Sequence, residues 1–552
     1  MNQKLVRQIL WNRLIAVVEE QANVLLKTAF GTITREAGDL SAGVYDTRGR
    51  MLAQAVTGTP GHVNTMATAV AHFLERFPAH TLRPGDVLVT NDPWLGTGHL
   101  FDFVTVTPAF LKRRLIGFFA STCHVIDIGG RGFVAEATSV YEEGLYVPHM
   151  KLMIGGEKGR GKRNETLFAI LAGNVREPMQ VRGDLLGLVS CNEVATRRLA
   201  AMLEEFGLTE LDALGEYIVS TSRASMRAAI RKLPRGTWRA SMTLDGYESP
   251  VVLQAALTVS DGTIHVDYAG TSPASRFGIN SPKCYTDAYT SFGVKCIVAP
   301  GIPNNAGSLD PVTISAPADS IVSPLRPRAV TARHLIGQML PELVFGCFEE
   351  PLAGKVPAEG AGSMWILGLS GGPQVEGAQP DATRFNVISI GIGGMGARPG
   401  KDGLSATAFP SGVGAIPVEI TEAQSPLLFR RRELAEGPGG EGRQRGGMGA
   451  VIEIENTERA PFRIACATFD RRHNPARGRA GGANGRVGRV TLASGRVLPG
   501  KETYVVPAGD CLVAEMPGGG GYGRKTPDVV PAKAGIHIDS RLRGNDITRR
   551  KR

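Results

Sequence analysis

The sequence predicts an α+β fold, mixed and multi-domain: an N-terminal helix-and-strand domain over residues 1–235, a glycine-rich, β-dominated region over 236–523, and a basic tail over 524–552 expected to be disordered. Three observations lead there. Apolar residues recur at helical spacing early in the chain, strand-like runs interrupt them from Asp86 to Ile126, and glycine becomes dense only in the later part. With 552 residues, 42% apolar and 21% charged, the chain can bury more than one core, and its composition is that of an ordered body.

Over Leu5–Phe30, apolar positions Leu10, Leu14, Val17, Val18, Leu25 and Ala29 recur as on an amphipathic helix. A second helix is expected over Val63–Phe77, with Met66, Val70, Phe73 and Leu74 on one face and Pro78 closing it. Strand patterns follow at Asp86–Thr90, Asp102–Phe110 and Arg114–Ile126. Helical spacing returns at Glu165–Ala172, Asp184–Phe206 and Glu210–Leu233, and "PRG" at Pro234–Gly236 marks the expected domain boundary. Beyond it, Val251–Gly270 reads as two strands about an Asp-Gly turn, and Ala329–Leu352 as a helical interlude. The runs "GIGGMGARPGKDG", "GPGGEGRQRGGMGA" and "RAGGANGRVGR" are expected to be tight turns of a folded β domain.

Charge and cysteine usage narrow the function classes. The formal net charge is +10, but residues 524–552 hold nine Lys/Arg against three Asp/Glu, which leaves only about +4 for the body. A nucleic-acid footprint would be clustered on the folded part, where "EKGRGKR" (Glu157–Arg163) is the one dense basic run, so nucleic acid is not expected as a partner. No run approaches the roughly 20 apolar residues of a membrane span. The seven cysteines form no C-x-x-C pair and the amino terminus lacks a secretory pattern, which together predict a reducing, cytoplasmic location.

The stretch with chemistry in it is "NDPWLGTGHLFDFVTV" (Asn91–Val106). If its strand and the next form a hairpin about Lys112 and Arg113, paired positions sum to about 225, which sets Asp102 opposite Cys123 or His124. His99, in a glycine-flanked loop three residues before Asp102, can turn its imidazole to the same open end. His99, Asp102 and His124 are therefore expected to form a two-histidine, one-carboxylate metal site. A divalent ion in such a set can lower the pKa of bound water from about 15.7 to about 7. Asp127 in "HVIDIGG" is expected either to orient a ligand imidazole from behind or to cap the "IGG" turn. Glu143 and His149 in "YEEGLYVPHM" are further polar groups expected near the cleft. "GIGGMG" (Gly391–Gly396) matches G-x-G-x-x-G after a strand, but Pro399 and more glycines stand where a helix should open, so no nucleotide site is read there.

The segments "SAGVYDTRGRMLAQ", "RPGDVLVTNDPWLGTGHLFD", "HVIDIGG", "YEEGLYVPHMKL", "GNVREPMQVRGDLLG", "DYAGTSP", "GARPGKDG", "RGGMGAV" and "MPGGGGYG" resemble the hydantoinase B/oxoprolinase family, to which the acetone carboxylase large subunit is related. The resemblance spans residues 4–523. It implies that His99, Asp102 and His124 bind a divalent ion (Mn, Zn or Fe). It also implies that the chain works beside a hydantoinase A-type subunit that binds ATP. The implied activity is ATP-dependent opening of a small cyclic amide such as a hydantoin, 5-oxoproline or lactam; ketone carboxylation and a non-catalytic assembly role are the alternatives. Two departures stand out. Phe101 replaces a family proline at the expected mouth of the site, and Ser405–Glu419 lacks His and Asn residues that many relatives carry. The tail resembles translated intergenic repeat DNA.

Overall fold

The computed structural model describes residues 3–525 apart from 57, 157–160, 363 and 438. All but the first two residues of the tail expected at 524–552, and part of "EKGRGKR", thus lie outside the described residues. The fold is a mixed α/β one built on sheets that are antiparallel but for one parallel pair, Ile264–Asp267 with Val312–Ser315. The first sheet runs β1 (Leu40–Tyr45), β2 (Met51–Gln54), β3 (Val87–Thr90), β4 (Asp102–Leu111), β5 (Arg114–His124), β6 (Met150–Ile154) and β7 (Lys162–Arg163), in the order β2-β1-β5-β4-β3-β6-β7. Helices Gln3–Thr28 and Pro178–Glu205 cover one face, and Pro60–Arg76 covers the other with Val63, Met66, Val70 and Phe73. Covering both faces explains why β4 and β5 are buried at nearly every position, the Thr side of the Val-Thr alternation in β4 included. Polar side chains in this layer satisfy one another: Gln21 Nε2 donates to Asn192 Oδ1 at 2.7 Å, and Asn192 Nδ2 donates to Thr105 and Thr107 hydroxyls.

The β4–β5 register decides where the site residues stand. Leu111 pairs with Arg114 and Phe110 with Leu115, but a bulge between Ala109 and Phe110 inserts one residue, so that Ala109 faces Gly117 and Asp102 faces His124. Of the two partners that the sequence left open, Cys123 pairs instead with Phe103. The bulge needs Gly117, where φ is +155° and a Cβ would lie 2.4 Å from the Tyr45 carbonyl oxygen.

After the helix Asp212–Ile230, strands β8 (Gly236–Leu244), β9 (Val251–Val259), β10 (Ile264–Asp267) and β11 (Val312–Ser315) form a second sheet in the order β11-β10-β9-β8. Helices Lys283–Val298 and Leu340–Phe348 pack in its core. The first of these was not anticipated: "YTDAYTSFGVKCIV" is rich in aromatic and β-branched residues that favour strands in isolation, and burial overrides that preference. The interlude expected over Ala329–Leu352 is helical only at His334–Gly337 and Leu340–Phe348. Its first residues run as a loop back to the first sheet.

The remaining strands are β12 (Trp365–Gly371), β13 (Phe385–Gly391), β14 (Leu427–Leu434), β15 (Ala450–Asn456), β16 (Phe462–Ala465), β17 (Arg489–Leu492), β18 (Thr503–Val506) and β19 (Cys511–Glu515). They make two four-stranded sheets, β13-β12-β16-β18 and β14-β15-β19-β17, whose inner faces share one core that includes Leu367, Leu369, Ile452, Ile464, Val490 and Leu512. The glycine-rich runs correct the expectation of tight turns. Most of their glycines lie in segments packed backbone to backbone: a Cβ on Gly447 would sit 2.0 Å from the Leu404 oxygen, and one on Gly519 would sit 2.1 Å from the Met395 oxygen. Close approach, rather than chain reversal, is what selects glycine there.

Candidate metal centre

Three strand ends meet at one edge of the first sheet. Asp102 opens β4, His124 closes β5 opposite it, and Asp39 immediately precedes β1, whose Leu40 pairs with Cys123. The His124 amide N–H reaches the Asp39 carbonyl. His99 lies in the turn before β4, His62 in the first turn of the helix Pro60–Arg76, and Arg333 and His334 arrive on the loop from the second region. One atom from each of His99, Asp102 and His124 lies within 4.8 Å of the others, and all three residues are buried.

The hydrogen bonding around these atoms tests whether they suit an ion. His99 Nδ1 donates to the Thr331 carbonyl at 3.0 Å, which leaves Nε2 as the lone-pair nitrogen. That Nε2 stands 2.8 Å from Asp102 Oδ1. Yet neither atom makes a hydrogen bond of acceptable geometry, and His124 Nδ1 is also unpartnered. Two nitrogens and one carboxylate oxygen, buried, close together and unsatisfied, are an expensive arrangement unless something else pairs with them. The set fits a borderline divalent ion such as Zn, Mn or Fe.

The other face of Asp102 is fully committed. Its Oδ2 accepts from Arg333 Nη2 at 2.6 Å and lies 2.8 Å from His62 Nε2. Arg333 is itself held by the Thr97 carbonyl and lies over the Tyr285 ring, its guanidinium carbon 4.1 Å from the centroid. Burial opposes ionisation of Asp102, but His62, His99 and Arg333 outweigh it and hold the carboxyl well below its ordinary range. Burial likewise works against protonated His62, and Asp102 and Asp39 overcome it and raise its pKa. His62 and Arg333 thus face the carboxyl groups of Asp102 and Asp39, and burial raises the pKa of Asp39. His99 and His124 go the other way: burial, reinforced by Arg333, takes His99 down to about 4, and burial with His99 takes His124 down to about 3. Both are neutral near pH 7, the state in which imidazole ligates.

The cavity these groups face has a polar floor and an apolar roof of Ile33, Ile366, Ile388, Ile390 and Val413. His334 Nε2 is also buried without a hydrogen bond, and its ring stacks on Phe133 at 5.9 Å and 16°. Phe101 is no mouth residue. It is 1% exposed and stacks on the His124 ring at 5.3 Å and 21°, which fixes the imidazole plane. Asp39, His62, Arg333 and His334 were not anticipated as members of the cluster.

Asp127 accepts from the Gly129 N–H at 3.1 Å and from the Arg176 backbone and guanidinium, so its carboxylate is occupied by the "IGG" turn and Arg176. His149 packs edge-on against Phe73 at 4.4 Å. Glu143 acts at one remove: its Oε1 accepts from the Val330 and Thr331 amides, and the Thr331 carbonyl is what fixes the His99 tautomer. Burial raises Glu143 to about 7. A folded-state pKa above the unfolded value of about 4.5 gives stability that is present below about pH 4.5 and is lost as pH rises through about 7. Glu143→Gln, measured by urea unfolding from pH 4.5 to 8, should therefore gain on the wild type by roughly 3 kcal/mol across that window. A pH-independent difference would contradict this.

The segment Gly391–Gly396 leaves β13 and packs against Pro517, Gly447 and the Ala358–Glu359 backbone, with no helix following it.

The model of the Hydantoinase B/oxoprolinase family matches residues 3–525. A B-type subunit named "Putative D-/L-hydantoinase", from Pseudomonas sp. (strain NS671), is 27% identical over 94% of this chain and 89% of its own length. The 5-oxoprolinase 1 of Arabidopsis thaliana is 29% identical over 93% of this chain, which spans only 41% of that longer protein. Among solved structures, an ATP-dependent caprolactamase from Pseudomonas jessenii superposes with a TM-score of 0.82 at 23% identity, covering 95% of this chain and 91% of that one. An acetone carboxylase in its nucleotide-free form gives 0.79 at 20% identity over 95% and 76%. These two likenesses concern the fold.

Proposed function

This chain belongs to the hydantoinase B/oxoprolinase family, and we propose that it is the B-type subunit of an enzyme that opens a cyclic amide at the expense of ATP, beside an A-type subunit that binds the nucleotide. The observation that carries this is the buried trio His99 Nε2, Asp102 Oδ1 and His124 Nδ1, close together and without hydrogen-bond partners. The relatives named as a hydantoinase subunit and a 5-oxoprolinase support the reaction class, and the name of the first, a B-type subunit, supports the partner.

A divalent ion held by His99, Asp102 and His124 would supply Lewis acidity and lower the pKa of a water in the cavity. The chain's own residues do the rest. Arg333 and His62 keep Asp102 ionised, the Thr331 carbonyl keeps His99 Nε2 free of a proton, and Phe101 holds the His124 ring in place. His334 offers a further neutral imidazole to the cavity, because burial, Arg333, His99 and His124 push its pKa well down. The apolar roof limits water there, which strengthens every polar contact on the floor. An amide carbonyl is a poor electrophile, so transfer of the γ-phosphoryl group of ATP to its oxygen, with release of ADP, prepares the carbon for attack by water and the phosphate for departure.

The test is the reconstituted pair of subunits, supplied with ATP and either hydantoin, 5-oxoproline and caprolactam or labelled bicarbonate with small ketones. Ring-opened product with ADP formation is expected. Bicarbonate-dependent incorporation of label without ring opening would replace hydrolysis by carboxylation.

A further inference from the structure

The inner cavity before the ligand trio has a volume of about 40 Å³. At roughly 10–15 Å³ per water, that is room for a few waters, whereas pockets for organic ligands run from about 300 Å³ upward. A ring amide therefore cannot stand beside His99 and His124 with the cavity walls as they are. A second cavity, of about 680 Å³, lies against the first and is lined by polar groups including Arg131, Arg176, Ser370, Asn386 and Arg463. Two side chains wall both spaces, Phe133 and Ile388.

The two are held very differently. Ile388 sits in β13, paired with Gly368, and is 8% exposed. Phe133 sits in a stretch, 125–139, with neither helix nor strand, and is half-buried. It follows Gly132, which has φ +80° and no atom within 4 Å of where a Cβ would stand. Its ring packs against the edge of the first core and meets four other rings: Phe101 at 5.3 Å, His124 at 5.4 Å, His334 at 5.9 Å and His99 at 6.2 Å. Such contacts are individually weak and allow alternative offset or edge-on arrangements. Of the two shared side chains Phe133 is thus the less constrained, and it is in contact with both candidate histidine ligands.

We propose that Phe133 is a door and a specificity-determining residue: the outer cavity receives the ring amide, and displacement of the Phe133 ring admits it to the metal cavity. The size of side chain 133 then sets which rings reach the site. This rests on the metal and substrate reading above, and the test separates the two.

The full chain would be loaded with cobalt(II), whose visible absorption reports its ligands. Two probes would be used, pyridine-2,6-dicarboxylate, a ring-sized chelator, and azide, which is small enough to pass a closed door. Wild type, Phe133→Ala, Phe133→Trp and the remote surface variant Met179→Ala (Met179 is 75% exposed) would be compared. Phe133→Ala should strip cobalt to the chelator at least about tenfold faster, a barrier change of roughly 1.4 kcal/mol. Phe133→Trp should slow stripping, Met179→Ala should match wild type, and the azide Kd should be the same in all four. Equal stripping rates would overturn the proposal. So would a Phe133→Ala variant whose cobalt and azide affinities weaken together, since that is the signature of lost packing around His124. Failure of the wild type to take up more cobalt than a His99→Ala/His124→Ala variant would instead remove the metal reading, and the door with it.

Discussion

Asp102→Ala should destabilise the protein by about 3–5 kcal/mol, the largest effect expected of any substitution in the polar cluster. Asp102 is 0% exposed, and its Oδ2 is the shared counter-charge of Arg333 and His62, whose side chains are 4% and 3% exposed. Removing it strands the Arg333 guanidinium in the interior and takes from His62 its nearest carboxylate, and breaking a buried pair costs far more than the pair contributes. Urea unfolding should show a lower midpoint at unchanged slope. The double variant Asp102→Asn/Arg333→Met removes a charge from each side and should be less destabilised than Asp102→Ala alone. If Asp102→Ala unfolds like the wild type, Arg333 and His62 are not held by that carboxylate.

The second large effect lies far from the site. Gly519→Ala puts a methyl 2.1 Å from the Met395 oxygen and 2.4 Å from its carbonyl carbon, and both are backbone atoms that cannot swing aside. Overpacking among side chains costs roughly 1–3 kcal/mol, and a backbone clash should exceed about 3. Gly400→Ala is the control: φ is +77° with open space around, so only the left-handed penalty of roughly 1–2 kcal/mol applies. A thermal melt in which the two variants fall by equal amounts would contradict the packed-glycine account of residues 391–396, 439–449 and 518–521.

These two cases also mark how far the sequence could be read. The hairpin carrying Asp102 and His124 was legible because strand register is a local property, set by alternation and a short basic turn. The bulge at Gly117 was not, and it moved the pairing by one residue to join Asp102 to His124. His99 was legible because it precedes Asp102 in the same glycine-flanked loop. Arg333 was not: it meets Asp102 across 231 residues, and a lone Arg-His pair at the start of a short helix carries no periodic signal. His62 was not read, because the expected helix began one residue later at Val63, and a helix pattern reports the packed face and says nothing of what the first turn points at. The glycine runs misled for a related reason. Glycine at a turn and glycine at a close backbone approach look alike in one dimension, and the second is visible only once Met395, Leu404, Gly447 and Gly519 are seen to pack together.

The central claim is that His99, Asp102 and His124 hold a divalent ion. Its most direct test is elemental analysis of the purified, folded chain beside His99→Ala and His124→Ala, each checked for native circular dichroism. About one ion per chain is expected in the wild type and close to none in either variant. Metal-free wild-type protein whose melting temperature does not respond to added Zn, Mn or Fe would contradict the claim, as would variants that retain the ion.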